Sequence, residues 1–222
     1  QVAAGVNVTL GDGVECADGE GLVYDATGDE ALMTPVEIGG EMSVALWVKL
    51  SASYASGVVQ LVNFKTGSNT DGVRVLYDNG EIKASAKTTS IRTLTAGSLA
   101  AGEWAHVVAT FAETSISVYQ DGALAASLNH GLGAPARGTR ETYTVGKRAL
   151  GTLGQLQIFE RVLEPAEVAL LHNATSGDAC LMTPTAAPTR SFAPTSAVGA
   201  TFYLSDAGGD GWDGATYTFA EA

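Results

Sequence analysis

The sequence predicts an all-β sandwich or barrel with one short helix near its C-terminal end. Three observations support this fold class. Apolar and β-branched runs recur between turn signals along the chain. Asn79-Gly80 and Asp121-Gly122 are the dipeptides that two-residue type I′ hairpins require, because both central residues need positive φ. Glycine is frequent, with 27 residues among 222, as a fold of many strands and tight turns demands.

Five strands are predicted from these runs: SVALWVKL (43–50), GVVQLVNF (57–64), GVRVLY (72–77), WAHVVATF (104–111) and SISVYQ (115–120). In the first strand, four aliphatic residues alternate with Ala45, Trp47 and Lys49. We therefore expect only one face of that strand to be fully dry.

One helix is predicted over LEPAEVALLHNA (163–174). Pro165 suits the first turn, where its missing N–H costs nothing. Val168, Leu170 and Leu171 form a short apolar stripe. This stripe is the surface through which we expect the helix to pack on the sandwich.

The two cysteines, Cys16 and Cys180, bracket almost everything that is predicted to fold. They are either two unrelated buried thiols or a disulfide that ties the first and last strands of one domain together. A disulfide closing so long a loop would stabilise the fold by about 4–5 kcal/mol on the chain-entropy model. It would also imply an oxidising compartment, and the sequons at Asn7 and Asn173, both N-glycosylation candidates, agree with secretion.

Composition divides the chain into four segments. We assign residues 1–15 to an N-terminal extension, 16–180 to the sandwich, 181–199 to a linker and 200–222 to the start of a second small β module. The linker is rich in Pro, Thr and Ser, which favours extended geometry and is typical of O-glycosylated stalks. Its candidate acceptors are Thr183, Thr185, Thr189, Thr195 and Ser196. The final stretch ATYTFAEA has no closing turn, so we expect a longer chain.

Charge and hydropathy exclude two classes of partner. The formal net charge is −12, whereas recognition of nucleic acid phosphates needs clustered Lys and Arg. The sequence also has no apolar run of about 18 residues that would cross a membrane. We therefore expect neither nucleic acid binding nor membrane contact within this segment.

Five stretches in order carry a family resemblance: VYDATGDEALMTPVEI (23–38), MSVALWVKL (42–50), GEWAHVVATF (102–111), VYQDGALAAS (118–127) and GTLGQLQIFERVLEPAEVALLHN (151–173). Together they resemble the laminin-G-like, concanavalin A-like lectin/glucanase family over roughly residues 20–175. The resemblance implies a concanavalin A-like β-sandwich (jelly roll) with one short C-terminal helix. It does not specify a ligand, because one fold hosts many functions.

The resemblance also bears on catalysis. The family places a histidine at the position of His106 as part of the sheet, so we predict packing there. We predict that Trp47 and Trp104 are core residues and that Asp121 forms a turn. No strand has the E-x-D-x-x-E carboxylates of glycosidases on this fold. We therefore predict no catalytic residues and no enzyme activity.

Calcium is the one cofactor that the resemblance raises. Asp25 and Asp29 match the positions that modules of this fold offer to Ca²⁺, a cation that prefers oxygen ligands. Gly154 stands where the family has an aspartate, so one carboxylate ligand is missing and water-facing turn residues are the alternative. The stretch DGWDGATY resembles a repeated module of secreted surface proteins, and its acidic loop offers a second candidate set: Asp206, Asp210 and Asp213.

Two classes of function follow. We favour a non-catalytic, secreted module of a larger cell-surface or filament-forming protein, which acts in adhesion or assembly through protein or glycan contacts. The alternative is a lectin-like carbohydrate-binding domain, with Tyr54 and Tyr77 as candidates for stacking on sugars. The sequence shows no clustering of aromatic and amide residues in particular loops, which favours the first class. Either class predicts partners in a multi-module extracellular assembly.

Overall fold

The computed structural model describes residues 6–10, 14–17, 21–24, 31–33, 37–52, 57–66, 71–87, 90–131, 133–135, 138–139, 142–175, 197–198 and 200–203. The strands and the helix of these residues, numbered in chain order, are β1 (Val6–Leu10), β2 (Val14–Ala17), β3 (Gly21–Tyr24), β4 (Ala31–Met33), β5 (Glu37–Ile38), β6 (Met42–Leu50), β7 (Val58–Thr66), β8 (Asp71–Asp78), β9 (Glu81–Lys87), β10 (Ile91–Ser98), β11 (Ala105–Phe111), β12 (Ser115–Gln120), β13 (Ala123–Asn129), β14 (Gly138–Thr139), β15 (Thr142–Lys147), β16 (Gly151–Phe159), α1 (Pro165–Thr175), β17 (Ala197–Val198) and β18 (Ala200–Tyr203).

Two sheets pack face to face around one core. Sheet A has the strand order β10-β9-β8-β7-β15-β4-β1-β18, and sheet B has the order β13-β12-β11-β6-β16-β3-β2 with β17 paired to β16. Every described pair is antiparallel except β1 with β18. The core draws on both sheets, for example Leu46 and Val48 from sheet B and Val75 and Ile82 from sheet A. The predicted all-β sandwich with one short helix is therefore confirmed.

The alternation of side chains on β8 defines the two faces of sheet A. Val73, Val75 and Tyr77 point into the core and are at most 5% exposed. Arg74 and Leu76 lie between them and point outward, because successive strand residues face opposite sides. Residues that lie opposite each other on paired strands point to the same side of the sheet. The strand register therefore identifies the outward residues of the strands next to β8.

A tyrosine from sheet B ties the two sheets together. The Tyr24 hydroxyl, buried in the core, donates a hydrogen bond to the Val145 carbonyl oxygen on β15 at 3.1 Å. Its ring lies against Gly146, whose φ is 71°, and a Cβ at this position would overlap the ring. A glycine is required here both for the close approach and for the left-handed backbone.

Helix α1 covers the outer face of sheet B and forms a second apolar cluster with it. The cluster comprises Ala45, Val108, Tyr119, Phe159, Leu163 and Val168, with Leu171 packed against it. The expectation that only one face of β6 would be dry is therefore wrong, since residues 42–48 are all buried. The predicted helix stripe also needs correction, because Leu170 is 47% exposed.

The hairpin turns agree with their prediction. Asn79 and Gly80 have φ of 51° and 97°, and Asp121 and Gly122 have φ of 50° and 79°. All five predicted strands are found within two residues of their predicted bounds. No strand bounds were predicted for β9, β10 or β15. In β9, EIKASAK, the inward positions are Ile82 and two small alanines, which give a weak strand signal.

Three strands lie outside the segment predicted to form the sandwich. β1 and β18 extend sheet A beyond β4, and β17 pairs with one end of β16 in sheet B. The domain boundaries themselves stay a prediction. Within the described residues, the 11-residue helix α1 is too short to cross a membrane.

Candidate ligand-binding face

Four polar residues form one row across the outer face of sheet A. In the strand register Thr144 lies opposite Asn63, Asn63 opposite Arg74, and Arg74 opposite Ser85. We call these four residues the polar row. Because neighbouring strands are about 4.8 Å apart, the row spans roughly 14 Å across β15, β7, β8 and β9.

Three members of the polar row are buried without using their full hydrogen-bonding capacity. Asn63 is 4% exposed, and Ser85 and Thr144 are each 2% exposed. Among the described residues, Asn63 Oδ1, Ser85 Oγ and Thr144 Oγ1 have no hydrogen-bond partner. A buried polar group left unpaired costs about 1–3 kcal/mol. Three such groups in one register row make this face the candidate site.

A β-bulge gives Asn63 its orientation. The register between β7 and β8 shifts between Gln60 and Val62, so that Leu61 enters the core and Gln60 points outward with Asn63. The Asn63 Nδ2 group then donates a hydrogen bond to Gln60 Oε1 at 2.7 Å. The amide nitrogen is engaged, and the Asn63 Oδ1 atom is the one left without a partner among the described residues. Bulges are frequent beside binding sites for this reason.

Arg74 occupies the centre of the polar row. Its side chain is partly buried, and burial lowers the pKa of its guanidinium. Within the described part of the chain, the guanidinium forms no ion pair and no hydrogen bond. In the strand register, Arg74 lies between Asn63 and Ser85 on the two neighbouring strands.

The outer face of sheet B holds a different cluster, made of three rings beneath helix α1. Trp47 and His106 face each other across β6 and β11 with ring centroids 5.0 Å apart, and His172 from the helix stacks on Trp47 at 5.3 Å. The two histidine centroids are 5.5 Å apart. His106 is 2% exposed, and burial together with the neighbouring His172 lowers its pKa to about 4. His106 is thus a neutral packing residue, as predicted.

The other aromatic and turn predictions have mixed outcomes. Trp47 is buried, whereas Trp104 is only partly buried and has the Lys49 ammonium 5.9 Å from its ring centroid, so the prediction of a core residue is wrong there. Asp121 forms the predicted turn, and its Oδ1 atom also accepts a hydrogen bond from the His106 backbone N–H at 2.9 Å.

Tyr77 does not fit its predicted role in sugar stacking. It belongs to the core, on the side of β8 opposite the polar row, so its ring faces away from the outer face of sheet A. Asn173 lies exposed in the last turn of α1, and Asn7 and Cys16 lie in β1 and β2. The remaining predicted site residues lie outside the described residues: Tyr54, Asp25, Asp29, Cys180, Thr183, Thr185, Thr189, Thr195, Ser196, Asp206, Asp210 and Asp213. The disulfide, metal and glycosylation assignments therefore stay predictions.

The described ranges contain no group of three or more His, Cys, Asp or Glu residues that could hold a metal ion. Gly154, which stands in place of the family aspartate, is buried in β16 and lies opposite Trp47. This register position therefore provides no carboxylate.

The polar row was not found from the sequence. Its only local signal is that Asn63 and Arg74 interrupt aliphatic runs at outward positions of predicted strands. Ser85 and Thr144 lie in strands that were not predicted. The alignment of the four residues depends on pairing between strands, which no single stretch of sequence displays.

A laminin G family model, described as the concanavalin A-like lectin/glucanases superfamily, matches residues 25–169. No curated protein sequence matches the chain. Among solved structures, the binding domain of botulinum neurotoxin serotype D superposes with a TM-score of 0.63 and 16% identity, over 76% of this chain and 47% of that domain. The binding domain of Paraclostridial Mosquitocidal Protein 1 gives a TM-score of 0.61 and 16% identity, with coverage of 76% and 47%.

The ligand-binding domain of neurotoxin serotype D in complex with N-acetylneuraminic acid is also similar, with a TM-score of 0.61, 16% identity, and coverage of 76% of this chain and 46% of that one. The chain thus spans about half the length of the solved domains that it matches. At this identity the likeness shows the fold alone. These solved structures are all described as binding domains.

Proposed function

Since the chain belongs to the concanavalin A-like lectin/glucanases superfamily, we propose that it is a non-catalytic binding module whose polar row contacts a glycan. The observation that carries this proposal is the set of three buried, unpaired oxygens on Asn63, Ser85 and Thr144. Sugars present many hydroxyl groups, each both a donor and an acceptor, and such groups suit a row of amide, hydroxyl and guanidinium side chains. A solved domain that includes a similar fold, the ligand-binding domain of neurotoxin serotype D, is in complex with N-acetylneuraminic acid, which supports including sugars among the ligands to be tested.

The setting that we propose is extracellular. The two sequons, the cysteines at either end of the sandwich and the Pro/Thr-rich linker support a secreted module of a larger surface protein. In that setting, glycan contact would serve adhesion or assembly with neighbouring surface molecules. Calcium assistance through Asp25 and Asp29 is a separate proposal that a chelator tests.

The experiment is binding of the 222-residue chain to a broad glycan panel, with calcium and again with chelator. The informative variants are Thr144→Val and Ser85→Ala, which remove unpaired oxygens without removing an existing hydrogen bond of the fold. We expect each to weaken glycan binding about tenfold while the melting temperature stays the same or rises.

Ser127→Ala is the matched control, because Ser127 is an exposed hydroxyl on the other sheet and pairs with Ser117. It should bind glycan as the unaltered chain does. The proposal is wrong if the folded chain binds no glycan, or if Thr144→Val and Ser85→Ala bind as tightly as the control.

A further inference from the structure

We infer that the polar row selects an acidic glycan and that Arg74 pairs with a carboxylate group of that glycan. This inference rests on the proposed glycan binding and adds the chemical class of the ligand. It begins from the environment of the Arg74 side chain, which is partly buried at the centre of the row. No described carboxylate neutralises it, although a buried charge is costly unless it is paired.

On three strands of this face, the charge of the outward positions is opposite to that of the chain as a whole. The sequence has 12 Lys and Arg residues against 24 Asp and Glu residues. Outward positions of β8, β9 and β15 reverse this balance. The basic residues there are Arg74, Lys83, Lys87 and Lys147, and the acidic residues are Asp78 and Glu81.

The two acidic residues lie at the hairpin end of the face and are already engaged. Lys83 Nζ lies 2.7 Å from Asp78 Oδ2 and 3.6 Å from Glu81 Oε2. Asn79 Nδ2 donates a second hydrogen bond to Asp78 Oδ1 at 2.7 Å. These contacts hold both carboxylates at the turn and leave the guanidinium of Arg74 as the unneutralised charge of the row.

The chemistry of a guanidinium favours a carboxylate ligand. Its planar fork of N–H donors matches the two oxygens of a carboxylate, and such bidentate pairs are stronger than hydrogen bonds between neutral groups. Asn63 Oδ1 and Ser85 Oγ, on either side of Arg74, would accept hydrogen bonds from hydroxyl groups of the same sugar. A neutral glycan would leave Arg74 without a counter-ion in the complex.

The test uses ligand pairs that differ in charge. Oligogalacturonate is compared with its methyl ester, and 3′-sialyllactose is compared with lactose, each by calorimetry with the 222-residue chain at low and moderate salt. We expect an acidic member to bind about tenfold tighter than its neutral partner, with the preference shrinking as salt rises. A heparin oligosaccharide tests whether the face prefers sulfate groups. Tighter binding of heparin than of oligogalacturonate and 3′-sialyllactose would overturn the assignment of a carboxylate ligand.

Two substitutions assign the preference to Arg74. Arg74→Gln removes the charge and should abolish the preference, while Arg74→Lys keeps the charge without the fork and should retain only part of it. Arg92→Gln, at an exposed arginine on β10, is the control and should bind as the unaltered chain does. If Arg74→Gln still prefers the acidic glycans to the same extent, the inference is overturned. If that variant fails to fold, the comparison of acidic with neutral ligands on the unaltered chain decides the inference.

The outcomes separate this inference from the proposed function. Equal binding of acidic and neutral partners, with loss in Thr144→Val, would retain glycan binding and reject acid selection. Absence of binding to every glycan would reject both.

Discussion

The outer faces of sheets A and B differ in the side chains that they carry and in how those side chains pack. On sheet B, helix α1 packs over β6 and β11 and adds a second apolar cluster and a stack of three rings. On sheet A, the corresponding face keeps a partly buried arginine and three buried oxygens without partners among the described residues. In the described part of the chain, sheet B also buries one polar atom without a partner, His106 Nδ1, but there a helix adds an apolar cluster. The sheet A face, with its partly buried arginine and three unpaired oxygens, is the one proposed to bind.

Removal of apolar contact under the helix should have the largest effect on stability. Leu163 is 3% exposed in the helix cluster, so Leu163→Ala should lower the free energy of unfolding by about 2–5 kcal/mol. Leu170→Ala is the matched control, because Leu170 is 47% exposed and its truncation should change stability by less than about 0.5 kcal/mol. Denaturant titration of both variants is the measurement. Equal losses would show that the helix does not seal sheet B as described.

Acid should destabilise the ring stack through His106. Burial, then the neighbouring His172, lowers its pKa to about 4, below the ordinary 6.5, so the fold favours the neutral ring. This stabilisation is complete above pH 6.5 and is lost as pH falls from 6.5 through 4, by about 3 kcal/mol in total.

The check is the free energy of unfolding at pH 7 and pH 4 for the unaltered chain and for His106→Gln. Protonation of carboxylates affects both proteins, so the difference between their pH dependences isolates His106. The unaltered chain should lose about 3 kcal/mol more than the variant. Parallel pH dependences would contradict the assignment of His106 as a buried neutral ring.

Two buried serines give the sharpest comparison between the faces. On sheet B, Ser43 Oγ donates to the Arg161 carbonyl at 2.8 Å and accepts from the Leu163 N–H at 2.9 Å. Ser43→Ala should therefore cost about 1–3 kcal/mol, because it leaves buried backbone groups unpaired. On sheet A, Ser85→Ala removes an unpaired hydroxyl and should be neutral or slightly stabilising. Thermal melting of the two variants side by side tests this, and a comparable loss in both would remove the contrast between the faces.

The smallest effect is expected where the helix begins. Arg161 donates to both carboxylate oxygens of Glu167 at 2.6 and 2.7 Å, and Glu167 also accepts from the Glu164 N–H at 2.8 Å. The hydrogen bond from Arg161 lowers the pKa of Glu167. This stabilisation is therefore present above the unfolded pKa of about 4.3 and is lost as pH falls through the lower folded pKa.

Glu167→Gln should cost about 1 kcal/mol at pH 7, since the ion pair is partly exposed. Glu103→Gln, at an exposed glutamate, serves as the control. Chemical denaturation at pH 7 measures both. A loss no larger than that of the control would mean that the ion pair contributes little to seating the helix.

Much of the candidate site was beyond prediction from sequence. Tyr77 was predicted to bind sugar because it lies near a turn, but its parity on β8 places it in the core. The neighbouring Arg74, at the opposite parity, faces outward. The bulge at Leu61 shifts the alternation along β7 and brings Gln60 to the same face as Asn63. A local pattern does not reveal such a shift, because a bulge is defined by the partner strand.

The sequence by itself determined the local features of this protein. The two type I′ turns follow from Asn-Gly and Asp-Gly, because backbone sterics restrict which residues adopt positive φ. The long strands follow from their apolar, β-branched runs, and the helix from its proline start. Tertiary structure alone decided that Leu171 packs against the helix cluster while Leu170 is exposed. It also decided that Asn63, Arg74, Ser85 and Thr144 meet in one row. The physical reason is that burial and register depend on strands paired across long stretches of chain, whereas turn and strand preferences act between neighbouring residues.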